Sequence, residues 1–220
     1  MREREGNTAS HATLPRWLEL WSSRAENAAL EYIYDDLVRR YSEPHRHYHG
    51  LRHVSRCLQE LDEVRGQADH PFEVELALWL HDAVYDPKRS DNEEASARYA
   101  REALDRLLQE EQLELIHCLI MATRHTEPPK SNDQGLIADI DLAILGSPEE
   151  EYREYEDGIR REYCYMPEDR FRAGRAKLLE KFLKRDHIYY MDHFRERYEA
   201  TARANLSHSI SKLKATDPSQ

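Results

Sequence analysis

Residues 71–82 read PFEVELALWLHD, and this stretch decides the fold. Pro71 suits the first turn of a helix, where a missing N–H is not needed. From Phe72 to Leu80 the side chains are apolar on nearly every side, with Glu73 and Glu75 as the exceptions. A helix without a polar face is buried all round, so the pattern predicts a central helix against which others pack. It runs straight into His81-Asp82.

Outward from this core the helical pattern repeats. Leu14, Trp17, Leu18 and Trp21 fall on one helical face, and Ala29, Ile33, Asp36 and Leu37 continue the periodicity to about Tyr41. The stretch YSEPHRHYHG interrupts at Pro44 and Gly50, and Leu51, Val54, Leu58 and Leu61 resume to about Val64. After a loop over 83–90, Ser90 with Glu93 predicts a capping box for a helix on Ala95, Tyr99 and Leu104. The next helix is expected from about Gln112 to Thr126. GLIADIDLAIL predicts a short apolar helix holding Asp139 and Asp141, closed by Gly146 as a left-handed terminator. Ser147-Pro148 with Glu150 predicts a second cap, followed by a stripe of Tyr152, Tyr155, Ile159 and Tyr163. Beyond Pro167, Phe171, Leu178, Leu179, Phe182 and Leu183 mark another helix, and Tyr190, Phe194, Tyr198, Ala202, Leu206 and Ile210 the last. No strand, repeat or low-complexity linker is evident. The expected fold class is all-α, one helical domain over 13–212, with disordered ends at 1–12 and 213–220.

Composition agrees. The 220 residues suit one domain. Seven Gly and nine Pro make 16 residues, about 7% of the chain against roughly 12% on average, which favours long helices over turn-rich β folds. Lys and Arg number 32 against 43 Asp and Glu, leaving −11, which disfavours nucleic-acid backbones and anionic membranes. No apolar run approaches the ~20 residues of a membrane span, and the N-terminus lacks the apolar core of a secretory signal. Cys57, Cys118 and Cys164 are odd in number and far apart, and read as reduced thiols of a cytoplasmic protein.

The chemistry lies in twelve histidines, four of which (His45, His47, His49, His53) fall within nine residues. His49 and His53, four apart at a helix start, share a face. Asp139 and Asp141 lie inside an apolar helix, where a bare carboxylate is costly unless neutralised. A divalent cation would neutralise it. Two imidazoles and two carboxylates from three helices suit Mn, Ni, Co, Fe or Zn, with Mg also admissible. A single His-Asp dipeptide carries little weight; the order His, then His-Asp after an apolar helix, then Asp in a third helix carries much more.

That order, His53…His81-Asp82…Asp141, resembles the H…HD…D signature of the HD-domain metal-dependent phosphohydrolases. PHRHYHGLRHV, ALWLHDAVYDPKRSDNEEASA, TRHT and DIDLAILG together look like a bacterial subfamily of predicted HD phosphohydrolases, over roughly residues 15–210. The resemblance implies a helical domain with a metal at its centre, held by His53, His81, Asp82 and Asp141. It also implies metal-dependent hydrolysis of a small phosphate ester, with a nucleotide among the candidates. Tyr48-His49-Gly50-Leu51-Arg52-His53 is more distantly similar to the YHNxxH motif of cyclic-nucleotide phosphodiesterases. Carried over, His53 is a ligand and His49 the general acid, although Gly50 replaces the Asn. A further histidine shortly after the His-Asp pair is missing, with Asp86 in that stretch.

Several assignments stay open. Asp141 precedes Leu142, as in the phosphodiesterases, and is preferred over Asp139, which could instead accept from a ligand imidazole. The two lie about 200° apart on a helix, so both cannot face one ion. Asp82 is also a candidate to orient the attacking water. His125 is an extra ligand, a substrate contact or a core residue, and His117 lies two turns before it. Arg46 and Arg124 are the candidate phosphate clamps, whereas Lys88, Arg89 and Lys130 read as solvated loop charge. The sign-alternating runs 149–163 and 170–185 read as solvated helix faces, which leaves Glu162 and Arg175 without a role. Two other functions compete: a di-iron HD oxygenase drafting His117, His125 and Asp86, and a non-catalytic metal- or nucleotide-binding module.

Overall fold

The computed structural model describes residues 10–22 and 25–215, and all regular structure among them is helical. In chain order the helices are α1 (Leu14–Trp21), α2 (Asn27–Tyr41), α3 (Leu51–Val64), α4 (Pro71–Leu80), α5 (Asn92–Leu104), α6 (Glu110–Ala122), α7 (Asn132–Leu142), α8 (Glu149–Glu162), α9 (Glu168–Leu183) and α10 (Asp192–Lys214). Short 3-10 turns follow α3 at Arg65–Gln67 and α7 at Ala143–Gly146. Among the described residues no helix is long and apolar enough to cross a membrane.

α4 is the central helix that its sequence predicts. Every residue from Val74 to Leu80 is buried, and α3, α5, α6 and α7 all touch it. Each fully buried Leu contributes about 1.5–3 kcal/mol relative to leaving it in water. Its two acids are buried as well and are matched from neighbouring elements. Glu75 accepts from Arg16 Nε at 2.7 Å and from Arg65, and Glu73 accepts from Gln112 Nε2 at 2.8 Å. Trp17 packs edge-on against Trp79 and Trp21, tying α1 to the core, and its ring N–H donates to the Leu30 carbonyl.

α7 latches two other helices by their N-termini. Asp133 accepts the backbone N–H of Asp69 and His70, where α4 begins. Asp139 accepts those of Tyr190 and Met191, where α10 begins. α10 in turn packs on α9 and on the turn Ala143–Gly146.

Local expectations differ from the structure at several points. Neither capping box forms: Asp91 and Pro148 occupy the N-cap positions of α5 and α8, with no side-chain cap. α6 stops at Ala122, not Thr126, and the chain turns through a left-handed His125 (φ 56°). Gly146 is not left-handed; it is required because a Cβ there would lie 2.5 Å from Tyr198 Cβ. Ala29 is exposed while Leu30 is buried, and Leu178 is 42% exposed. Of the expected disordered ends, 1–9 and 216–220 lie outside the described residues. Ala12 is buried, the His11 N–H donates to Ser55 Oγ, and α10 continues to Lys214.

Candidate metal centre

Three helices bring the site together. The apolar face of α3, with Val54, Cys57, Leu58 and Leu61, turns His53 inward. His81 leaves the end of α4 and inherits that helix's burial, and Asp82 follows it. Asp141 comes from the last turn of α7. His53 Nε2 lies 3.0 Å from His81 Nε2 and 3.1 Å from Asp141 Oδ1. Asp82 Oδ2 lies 3.2 Å from His81 Nε2 and 3.7 Å from His53 Nε2.

The donor set fits a cation. The Leu78 carbonyl, which can only accept, lies 3.0 Å from His81 Nδ1, so that nitrogen carries the proton and Nε2 presents its lone pair to the other donors. Two imidazole nitrogens then face each other and two carboxylates, an arrangement that a divalent ion at their focus would satisfy. The tightest quartet is His53, Cys57, His81 and Asp141, whose donor atoms lie within 4.8 Å of one another. Cys57, one turn after His53, was not singled out in the sequence. It is fully buried, and burial pushes its thiol well above the usual range. Asp82 stands outside that quartet, with Oδ2 3.2 Å from His81 Nε2, and lines the adjoining cleft, which Cys57 does not.

Electrostatics follow from the crowding. Burial works to raise both carboxyls, but the surrounding imidazoles hold Asp82 and Asp141 well below their ordinary range. Burial lowers His53, whereas for His81 it is outweighed by Asp82 and Asp141, which raise it.

Asp139 is not a ligand. It is fully buried and faces away from the centre, where it accepts the N–H of Tyr190 (2.9 Å) and Met191 (2.6 Å) rather than any ligand imidazole. Burial pushes its carboxyl up to about 7, against the pull of those N–H groups. His125 Nε2 lies 2.8 Å from Asp141 Oδ2, so His125 orients the carboxylate from behind while also lining the cleft. His117 opens on a separate cavity beside Cys118 and Met121. Asp86 is occupied by the Lys88 N–H. Of the three candidate additional ligands, His125 reaches the cluster through Asp141, whereas His117 and Asp86 are placed elsewhere.

His49 stands beside the centre, stacked on Tyr85 with ring centroids 4.1 Å apart. Its Nδ1 lies 2.6 Å from Glu162 Oε2, while Glu162 Oε1 accepts the N–H groups of His47, Tyr48 and His49. Tyr85 OH donates to the same carboxylate. Gly158, one turn earlier on α8, permits this approach, since a Cβ there would lie 3.2 Å from the His47 carbonyl oxygen. Burial works to lower His49, but Asp82 and Glu162 raise it. Glu162 was missed from sequence, although it lies on the buried face of α8 with Tyr152 and Ile159.

Arg46 is not a phosphate clamp. Its side chain is fully buried and donates to the carbonyls of His49 (3.0 Å), Asp82 (2.6 Å) and Ala83 (3.2 Å), pinning the turn after α4. Arg124 lines the cleft but is paired with Glu94. The cleft itself measures about 740 Å³ and is bounded by His49, His81, Asp82, Asp141 and His125 on one side and by α9 on another.

Compared with known proteins, the chain matches no family model, no curated protein and no solved structure.

Proposed function

We propose that this chain is a metal-dependent phosphohydrolase of the HD type that acts on a small phosphate ester. One observation carries the reading: His53 Nε2 and His81 Nε2, 3.0 Å apart, converge with Asp82 and Asp141 at the wall of an open cleft. A divalent ion bound by these four side chains would supply Lewis acidity and a water of lowered pKa. Asp82, facing the cleft, orients the attacking water. His125 holds Asp141 in place. His49, with Nδ1 tied to Glu162, keeps Nε2 for donation to the leaving oxygen, and its raised pKa favours the protonated form that a general acid needs. A cleft of about 740 Å³ suits a small phosphorylated molecule such as a mononucleotide. The unpaired Cys57, Cys118 and Cys164 suit a cytoplasmic protein on this reading.

The test is hydrolysis of aryl phosphates and phosphodiesters by the chelator-stripped chain reloaded with Mn²⁺. His81→Ala and Asp82→Ala should each lower turnover at least about a hundredfold. Unchanged turnover in both would refute the reading. A di-iron oxygenase is disfavoured by the separate placement of His117 and Asp86, and two irons per chain on metal analysis would reverse that preference. Metal binding without turnover of any phosphate ester would leave a binding module.

A further inference from the structure

Five cationic side chains line the cleft: Arg89, Arg124, Arg175, Lys181 and Arg185. Their partners divide them. Arg89 pairs with Asp91, Arg124 with Glu94, and Arg175 with Glu156, so three of the charges are already compensated. Among the described residues no carboxylate lies within 4.0 Å of the Lys181 ammonium or the Arg185 guanidinium. Among the five cations of the cleft these two are the ones without a carboxylate partner.

Arg185 is held in position. Its Nη2 donates to the His125 carbonyl at 2.8 Å, and its guanidinium lies 4.7 Å from the centroid of the Phe182 ring. Its Nη1 is buried and has no hydrogen-bond partner. The negative end of the α9 dipole accounts for cations near Leu183, but not for a buried guanidinium edge that lacks an acceptor. Lys181 lies four residues earlier and borders the same cleft. Leu178, 42% exposed although apolar, lies three residues before Lys181 on the same wall.

We propose that Lys181 and Arg185 form an anion subsite that takes a second anionic group of the substrate, a phosphate or a carboxylate, with Leu178 against the body between. The substrate class is thus a phosphorylated molecule with two separated anionic groups, one at the metal centre and one at the end of α9. This rests on the metal-centre reading for the position of the scissile ester, but the subsite has its own readout.

The test titrates the full chain with inorganic phosphate, and separately with acetate, by calorimetry without added metal. Mn²⁺ affinity and melting temperature are measured alongside. Wild type should bind phosphate, acetate or both, and Lys181→Gln/Arg185→Gln should weaken that binding by about tenfold or more. Tighter phosphate than acetate binding identifies the second group as a phosphate; the reverse identifies a carboxylate. Lys181→Gln alone should give part of the loss with an unchanged melting temperature, since that side chain is exposed. Mn²⁺ affinity should be unaltered in Lys181→Gln, whose exposed side chain touches none of the metal-centre residues. Equal anion affinity in wild type and double variant, or no anion binding by wild type, overturns the subsite while leaving the metal centre standing. Anion binding lost in the variants of a chain that binds no Mn²⁺ keeps the subsite and overturns the metal centre.

Discussion

At Glu162 a single carboxylate accepts three backbone N–H groups, one imidazole N–H and one phenol. Burial alone would raise its pKa, but His49 and the backbone donors bring it from 4.5 down to about 2. A depression of that size corresponds to about 3 kcal/mol of stability. The contribution is present above the unfolded value of 4.5 and is lost as pH falls through about 2. Denaturant unfolding of wild type and Glu162→Gln should therefore differ most near neutral pH, and the gap should close below about pH 4.5; a gap independent of pH contradicts it. The same scale shows what the sequence could and could not carry. The convergence of His53, His81, Asp82 and Asp141 was legible because their order and the apolar helices around them leave few alternatives. Helical angle showed that Asp141 and Asp139 could not both face one point, and the preference for Asp141 came from the resemblance. Arg46 was misread because proximity to a motif says nothing about direction: its fork turns inward to three carbonyls. Glu162 was hidden in an alternating charge run, 113 residues from the His49 it holds.

α7 shows how one element positions a site. It carries three aspartates in an apolar sequence, and each meets a different need: Asp133 caps α4, Asp139 caps α10, and Asp141 faces the centre. Its continuation, Ala143–Gly146, lies against α10 so closely that a Cβ on Gly146 would meet Tyr198 Cβ at 2.5 Å and Tyr198 O at 2.9 Å. Because a backbone atom is among the obstacles, Gly146→Ala should force the two elements apart and cost about 1–3 kcal/mol or more. A fall in melting temperature measures this, and an unchanged value would contradict the packing. The helices themselves were readable from period alone, since apolar spacing reports which face is buried. Their ends were not. Ser90 and Ser147 have cap-type sequences, but Asp91 and Pro148 take the N-cap positions instead. The α6 terminus was misplaced because Thr123 to Thr126 carry no Gly or Pro to mark a stop.

For the molecule as a whole, the central α4 and the all-helical class follow from composition and patterning, whereas the pairing of distant cations with the cleft depends on docking angles that no spacing encodes. The centre joins α3, α4 and α7, so an ion bound there stabilises the folded chain but not the unfolded one. Mn²⁺ at a hundredfold excess over its Kd should add about 2.7 kcal/mol, or roughly 5–10 °C in melting temperature for a chain of this size. Asp141→Asn should abolish most of the shift, and a shift of equal size in that variant would place the ion elsewhere. The groups of the cleft are also ordered along the chain. The donors of the metal centre end at Asp141, the carboxylate that holds His49 follows at Glu162, the guanidinium edge at Arg185, and the Tyr190 and Met191 N–H groups that fasten α7 come last. During vectorial synthesis the candidate metal donors are therefore made well before the groups that fix His49 or form the cationic wall. On the proposed function, a copy that ends after α7 would carry every candidate metal donor and still lack the carboxylate that holds His49 and the helix that bounds the cleft.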